Sequence, residues 1–147
     1  MKYDFKIGVD PGEKNGWAIF DKENNKLKEM GTMNFWELIE AIDAINFNNS
    51  ILIVIEDSSQ NSPTFSKHYR KKSLLVRDKI SQNVGENKRT AKLLIEYCQR
   101  NNIPYRAVKP TKNSLTKVSK EWFNKQTGWT GRSSEHARDA ALLVWEN

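Results

Sequence analysis

The sequence has few of the features that mark secreted or membrane proteins. It contains a single cysteine, Cys98, which cannot form an internal disulfide and therefore fits a reducing compartment. The longest apolar run, Ile51–Ile55, has the length of a strand and is far shorter than the roughly 20 residues of a membrane helix. The first residues, MKYDFKIG, lack the apolar segment of a signal peptide. These absences predict an intracellular, cytoplasmic protein.

Length and charge narrow the class further. A chain of 147 residues is long enough for one core, so we expect a single domain over residues 1–147. Lys and Arg number 24 against 18 Asp and Glu, which gives a formal net charge of +6. A basic surplus favours a polyanionic partner, above all nucleic acid.

Strand and helix patterns alternate in the order βββ-α-β-α-β-α-α, which predicts an α/β domain. Asn34 is the expected N-cap of the first helix, and the β-branched run Ile51–Ile55 predicts a central strand buried on both faces. The segment 58–83 is irregular and basic, with some helix expected near residues 74–80. The helix expected at 114–125 would turn Leu115, Val118 and Trp122 inward. The other predicted ranges are 5–10, 16–21, 27–33 and 104–108 for strands and 35–45, 84–100 and 135–145 for helices.

The segment Ile7–Phe20, IGVDPGEKNGWAIF, is the most informative part of the chain. It places Asp10 at the end of an apolar strand, before a Pro-Gly turn and a second strand. A carboxylate on rigid sheet backbone, with Gly12 and Gly16 nearby, would let a phosphate or a hydrated metal ion approach closely. The alternative is an ordinary hairpin whose Asp initiates the turn.

Further acidic positions extend this hypothesis. Glu56 directly follows the most buried strand, so Asp10 and Glu56 would meet at one sheet edge if the two strands are neighbours. His136 and Asp139 are three residues apart and share one face of the last helix. That helix carries small residues that would let it lie close to the sheet: Ala137, Ala140 and Ala141.

Three carboxylates and one imidazole brought together favour a bound cation, because like charges repel. Hard oxygen ligands suit Mg²⁺ or Mn²⁺. Two such ions about 4 Å apart can activate a water and stabilise the leaving oxygen in phosphodiester hydrolysis. Taken singly, each residue has a structural alternative. Glu56 could cap its strand, with Asp57 as the rival ligand. His136 could pack at the start of its helix, and Asp139 could pair with Arg138.

Four segments resemble, in order along the chain, pieces of the RuvC family of Holliday junction resolvases, within the ribonuclease H-like superfamily: GVDPGEKNGWAIF, ILIVIED, NVGENKRTAKLLIEYC and HARDAALLV. AVKPT followed by Lys120 resembles the basic segment of the family. The resemblance implies a five-stranded mixed sheet with flanking helices. It also implies a homodimeric crossover junction endodeoxyribonuclease of DNA recombination and repair, which cuts four-way junctions by paired symmetric nicks. The small size and the high Asn and Lys content suit a phage-type member acting in a bacterial cell.

The resemblance also implies roles for individual residues. The metal ligands would be Asp10, Glu56, His136 and Asp139, with Mg²⁺ as the ion and Mn²⁺ able to substitute. Asp10 would bridge two ions, and His136 stands where some members have an aspartate. Lys109 and Lys120 would contact phosphate near the scissile bond and join the catalytic candidates.

A basic stretch after the second acidic strand, SSQNSPTFSKHYRKKS, interleaves aromatic and basic residues as a nucleic-acid surface would. The family places an aromatic wedge here, although the spacing of Phe65 and Tyr69 does not match it cleanly. An exposed loop without a role is the alternative. The candidate DNA-binding residues are Phe65, Lys67, Tyr69, Arg70, Lys71, Lys72, Lys109, Lys117 and Lys120.

Other functions stay open on the sequence alone. They are a broader branched-DNA or flap nuclease, cleavage of RNA in hybrids, and a non-catalytic junction-binding module. An actin-like ATPase begins with a similar hairpin but needs two such domains. Leu93 and Tyr97 form a second apolar line that would meet a dimer partner or pack within the subunit.

Overall fold

Five strands form one mixed sheet with helices on both faces, as a computed structural model describing residues 2–60, 71–110 and 118–146 shows. The strands are β1 (Phe5–Asp10), β2 (Asn15–Asp21), β3 (Lys26–Met33), β4 (Ile51–Glu56) and β5 (Tyr105–Val108). The helices are α1 (Phe35–Asn46), α2 (Leu74–Arg100), α3 (Lys120–Thr127) and α4 (Glu135–Val144), with a 3₁₀ turn at Ser58–Gln60. The α/β class and the order of the elements are confirmed.

The sheet order is β3-β2-β1-β4-β5. β1, β2 and β3 form an antiparallel meander, whereas β4 pairs in parallel with both β1 and β5. Parallel strands end at the same edge of a sheet. The carboxyl ends of β1, β4 and β5 therefore share one edge, which is the edge where functional side chains were expected.

Hydrophobic residues cover both faces of the sheet. Because side chains alternate along a strand, Ile7 and Val9 point to one face of β1, and Gly8 and Asp10 lie on the other. The first face packs against α1 and α2, and the second against α3 and α4. β4 is buried on both faces, with Ile53 and Val54 both fully buried, as its β-branched run predicted.

Helix starts follow their capping residues. The Asn34 side chain accepts a hydrogen bond from the backbone N–H of Glu37, and the Glu37 carboxylate accepts one from the Asn34 N–H, so the predicted cap is confirmed as a capping box. The helix expected near residues 74–80 is confirmed, but the separate start predicted at residue 84 is wrong, because the two segments form one helix, α2. The helix begins at Leu74, after Ser73, whose hydroxyl accepts from the Val76 N–H. The first half of α2 buries no residue, so no continuous core-facing stripe joins the two predicted segments in the sequence.

The inward face predicted for the helix before the last loop is also wrong in part. α3 begins at Lys120, after the N-cap Ser119. Phe123 is fully buried, whereas Trp122 is 42% exposed. The predicted stripe assumed a helix that runs continuously from residue 114. In the structure Phe123, rather than its neighbour, packs against the sheet and the last helix. Leu115 lies outside the described residues.

In residues 2–60, 71–110 and 118–146, no helix combines the length and the apolar character that crossing a membrane requires.

Candidate metal centre

Asp10 and Glu56 are the last residues of β1 and β4, which are parallel neighbours. Val9 pairs with Ile55 in the register of these two strands, and Asp10 and Glu56 are the residues that directly follow them. Strand alternation places Asp10 on the face of Gly8, and Glu56 on the face of Val54, which packs against α3 and α4. Both carboxylates therefore lie at one sheet edge and on one face.

α4 lies across this same face. Ser134 caps it, because its hydroxyl accepts a hydrogen bond from the Ala137 N–H at 3.1 Å. The small residues expected to face the sheet are fully buried: Ala137, Ala140 and Ala141. The first two turns of α4 consequently bring His136 and Asp139 to the end of β1.

Three of the four predicted ligands come together closely. His136 Nδ1 lies 2.8 Å from Asp10 Oδ2. One ligand atom from each of Asp10, His136 and Asp139 lies within 4.8 Å of the others. Glu56 is not part of this group of three, although the negative charges of Asp10 and Asp139 both act on it. Asp10 is buried, Asp139 is half-buried and the side chain of His136 is 61% exposed, so the group opens to solvent through the imidazole.

The carboxyl groups hold their protons more tightly than usual. Burial and the neighbouring charges of Asp10 and Asp139 raise the pKa of Glu56 to about 7. Burial, with the charges of Asp10 and Glu135, raises the pKa of Asp139 to about 6. Burial also raises the pKa of Asp10, although the hydrogen bond with His136 opposes this shift. These like charges repel one another at neutral pH.

The cluster contains an unsatisfied carboxylate oxygen and an imidazole that holds its proton more tightly than usual. The Oδ1 atom of Asp139 is buried and has no hydrogen-bond partner among the described residues, which is costly for a carboxylate oxygen. The hydrogen bond with Asp10 raises the pKa of His136, so a proton on the imidazole partly compensates the acidic charge. A bound cation would satisfy the orphaned oxygen and replace that proton.

The rival ligand Asp57 has a different role. Its carboxylate accepts hydrogen bonds from the Ser59 N–H at 3.0 Å, the Ser59 hydroxyl at 2.6 Å and the Gln60 amide at 3.4 Å. Burial acts to raise the pKa of Asp57, but these hydrogen bonds outweigh it and lower the value. Asp57 therefore stabilises the 3₁₀ turn after β4.

The predicted basic residues are only partly described. Lys109 directly follows Val108, which pairs with Glu56 in the sheet, so its backbone lies at the same edge as the acidic cluster. Lys120 is the first residue of α3, and both lysines are exposed. Lys71 is exposed and Lys72 is half-buried just before α2. The remaining candidates lie outside the described residues: Phe65, Lys67, Tyr69, Arg70 and Lys117.

Sequence reasoning missed two contributors. Asn15 is 1% exposed; its side chain accepts from the Gly12 N–H at 3.3 Å and donates to the Met33 carbonyl at 3.4 Å, which fixes the turn after Asp10. An Asn at the end of a Pro-Gly turn is a recognisable signal for such a role. Glu135 adds a negative charge that helps to raise the pKa values of Asp10 and Asp139. Its position beside His136 was visible in the sequence.

No protein-family model matches this sequence, and no curated protein is significantly similar to it. A solved structure of T. thermophilus RuvC in complex with a Holliday junction substrate is similar in fold. The match has a TM-score of 0.53, covers 96% of this chain and 90% of that chain, and has 14% sequence identity. At this identity the likeness concerns the fold. The protein has a ribonuclease H-like fold, as the sequence resemblance implied.

Proposed function

We propose that this protein is a metal-dependent, structure-selective DNA endonuclease that resolves four-way junctions by paired symmetric nicks. The observation that carries the proposal is the convergence of Asp10, His136 and Asp139 within 4.8 Å at one sheet edge, with Glu56 close by. The similarity in fold to a RuvC structure that contains a Holliday junction supports a branched DNA substrate.

The residues of the cluster fit a hard divalent cation. They offer carboxylate oxygens and one imidazole, which suit Mg²⁺ and Mn²⁺. Two features support a site for a cation. The Oδ1 atom of Asp139 has no hydrogen-bond partner among the described residues, and the pKa values of Glu56 and Asp139 are raised because no positive charge offsets their neighbours. Asp10, His136 and Asp139 would hold the ion, and Glu56 would join Asp10 in holding a second one.

A divalent ion bound here would activate water for attack on phosphorus and neutralise the charge that develops on the leaving oxygen. The chain itself would supply orientation. Asp10 is fixed on the sheet, and its hydrogen bond to His136 Nδ1 orients the imidazole. Glu56, with a pKa near 7, holds a proton close to neutral pH and would release it when positive charge enters the site.

Basic residues would hold the DNA backbone on either side of this centre. Lys109 at the sheet edge and Lys120 at the start of α3 are exposed and free of ion pairs with described residues. With a net charge of +6, affinity for DNA should fall steeply with salt.

A homodimer would explain how two nicks are made symmetrically, and the exposed apolar residues of α2 support it. Leu74 is 72% exposed and Leu75 is 82% exposed. Leu93 follows Leu75 by 18 residues, which is five helical turns, so it adds exposed apolar surface on the same face of the helix. Tyr97, by contrast, packs against the core and donates a hydrogen bond to Asp43. A second copy would cover this apolar surface of α2.

The test is cleavage of a labelled synthetic four-way junction beside linear duplex, a flap and an RNA–DNA hybrid, each with EDTA, Mg²⁺ or Mn²⁺. We expect paired nicks at symmetric positions of the junction only, and only with metal. Equal cutting of flaps would reduce the proposal to a broader branched-DNA nuclease. Tight junction binding without cutting in either metal would contradict the enzyme and leave a binding module.

A further inference from the structure

We infer that Gly16 is a positioning residue for the metal centre: its missing side chain leaves the space in which the backbone of His136 lies. The inference rests on the proposed metal-dependent function for its meaning. The sequence suggested that Gly16 keeps the turn open for a ligand. In the structure that space is filled by α4 instead.

The register places Gly16 directly opposite Asp10 in the β1–β2 pair. A Cβ atom on Gly16 would lie 2.1 Å from the His136 carbonyl oxygen and 2.4 Å from its carbonyl carbon. Real Cβ contacts are essentially never below 3.0 Å, and both atoms belong to the backbone of a helix. An alanine at this position would therefore have to displace α4 itself.

The backbone conformation at residue 16 does not require a glycine. Gly128 is the one glycine with positive φ among the described residues. Gly16 thus has a backbone that an L-residue can adopt. The requirement at Gly16 is steric and comes from one neighbour, His136.

The displacement would fall on the ligand end of the helix. The His136 carbonyl oxygen would have to move about 0.9 Å away from the new Cβ atom for their distance to rise from 2.1 Å to 3.0 Å. At the other end, Glu146 forms ion pairs with Lys6 and Lys22, which hold the chain just after α4 to the strands. We expect α4 to pivot near that end, so that His136 moves most.

A movement of this size matters because metal–ligand distances in well-formed sites lie within about 0.2 Å of their preferred values. His136 Nδ1 is now 2.8 Å from Asp10 Oδ2, and a shift of about 0.9 Å along that contact would break the hydrogen bond. Gly8 has a related role one helical turn later, since its Cβ would lie 2.0 Å from the Ala140 carbonyl oxygen. Only Gly16 touches a proposed ligand.

The test compares Gly16→Ala with two control variants. Gly85→Ala adds the same methyl group on α2, where nothing lies within 4 Å of the new Cβ. Leu38→Ala removes a fully buried side chain on the opposite face of the sheet, so it destabilises the fold without touching α4. We would measure the Mn²⁺ affinity of each folded protein by calorimetry and determine the crystal structure of Gly16→Ala.

We expect Gly16→Ala to weaken Mn²⁺ binding by about 10- to 100-fold, as loss of ligand orientation does elsewhere. Both controls should stay within about twofold of the unchanged protein. In the Gly16→Ala crystal, the distance from His136 Nδ1 to Asp10 Oδ2 should lengthen beyond hydrogen-bond range. Unchanged affinity in Gly16→Ala, or an equal loss in Leu38→Ala, would overturn the inference.

Failure of the proposed function gives a different result. If the unchanged protein binds no Mn²⁺, the metal-dependent nuclease is wrong, and the crystal structure of Gly16→Ala decides the positioning role alone. If that variant does not fold, NMR of the unchanged protein takes its place. A nuclear Overhauser contact between the Gly16 Hα and the His136 Hβ protons supports the close approach, and its absence overturns it.

Discussion

His136 Nδ1 lies 2.8 Å from Asp10 Oδ2, although the two residues are 126 positions apart in the chain. Asp10 is fixed at the end of the first strand, and His136 is carried by the last helix. Their contact lies on the solvent side of the acidic cluster, because the carboxylate is buried and the imidazole is largely exposed.

Asp10→Asn should reduce cleavage of a four-way junction by more than about 100-fold, because a ligand is lost rather than a group that merely orients one. Junction binding should persist. Burial raises the pKa of Asp10, so removing its charge should not lower the free energy of unfolding of the metal-free protein. Gel-shift and nicking assays beside an exposed control, Glu29→Gln, check this. Cleavage at the normal rate in Asp10→Asn would exclude Asp10 as a ligand.

His136→Ala should lower Mn²⁺ affinity by about 10- to 100-fold, whereas His136→Asp should keep binding and move preference towards Mg²⁺. The melting temperature should hardly change without metal, because the side chain is 61% exposed. Glu135→Gln is the matched control, since it removes a neighbouring charge without removing a proposed ligand. An equal loss of affinity in Glu135→Gln would mean that only the total charge matters.

Stability of the metal-free protein should fall as pH rises. The folded-state pKa of Glu56 is raised from 4.5 to about 7, so the native protein keeps a proton that the unfolded chain has released. The free energy of unfolding therefore decreases with pH between about 4.5 and 7. Asp139 and His136, whose pKa values are also raised, act in the same direction. After allowance for solvent screening we expect a loss of about 1–2 kcal/mol.

Thermal melts in EDTA from pH 5 to pH 8 measure this slope. Glu56→Gln should flatten it, and added Mn²⁺ should reverse it, because the metal binds the deprotonated groups. Carboxyl groups with lowered pKa values, such as Asp57, stabilise the folded protein until the pH falls below this range. They therefore do not change the slope between about pH 4.5 and 7. Stability that stays level or rises in EDTA would contradict the predicted electrostatics.

Lys109→Ala and Lys120→Ala should each weaken junction binding and reduce the slope of log affinity against log salt by about one. Lys26→Ala is the control, because Lys26 is exposed and lies at the opposite end of the sheet, where it stands opposite Asp21 in the β2–β3 register. Titrations at several salt concentrations measure the slopes. If Lys26→Ala lowers the slope as much as the other two, DNA binding depends on total charge and not on this edge.

Leu75→Lys should convert a dimer to monomer at micromolar concentration, because it places a charge in the apolar surface of α2 proposed as the dimer contact. The fold of the monomer should be unaffected, since Leu75 is 82% exposed. Phe47→Lys, at a site 85% exposed after α1, is the matched control. Sedimentation velocity distinguishes the species. A monomer in the unchanged protein at the same concentration would count against paired nicking.

Local patterns in the sequence were sufficient for much of the fold. The strand ranges followed from apolar runs bounded by turn residues, and Asn34 marked the start of α1. The edge shared by Asp10 and Glu56 could be anticipated because both residues end apolar strands. The family resemblance added the sheet and the ligand set, and the ligand roles stay predictions.

Other features depended on contacts between distant segments. The first half of α2 buries no residue, so the sequence indicated helix near residues 74–80 but not one helix that continues to Arg100. Trp122 and Phe123 are adjacent and both aromatic, and only the packing of α3 against the sheet decides which one faces the core. Asp57 and Glu56 are neighbours of the same charge, and only the hydrogen bonds from Ser59 and Gln60 separate a turn residue from a candidate ligand.

The sequence by itself determined the strands, the cap of α1 at Asn34 and which residue types stand at strand ends, because these depend on near neighbours in the chain. The tertiary structure decided how closely α4 lies against β1 and β2. Gly8 and Gly16 look like turn or strand glycines in the sequence, but their missing side chains admit the backbone of α4. The distance between His136 and Asp10 follows from that packing, which no local pattern encodes.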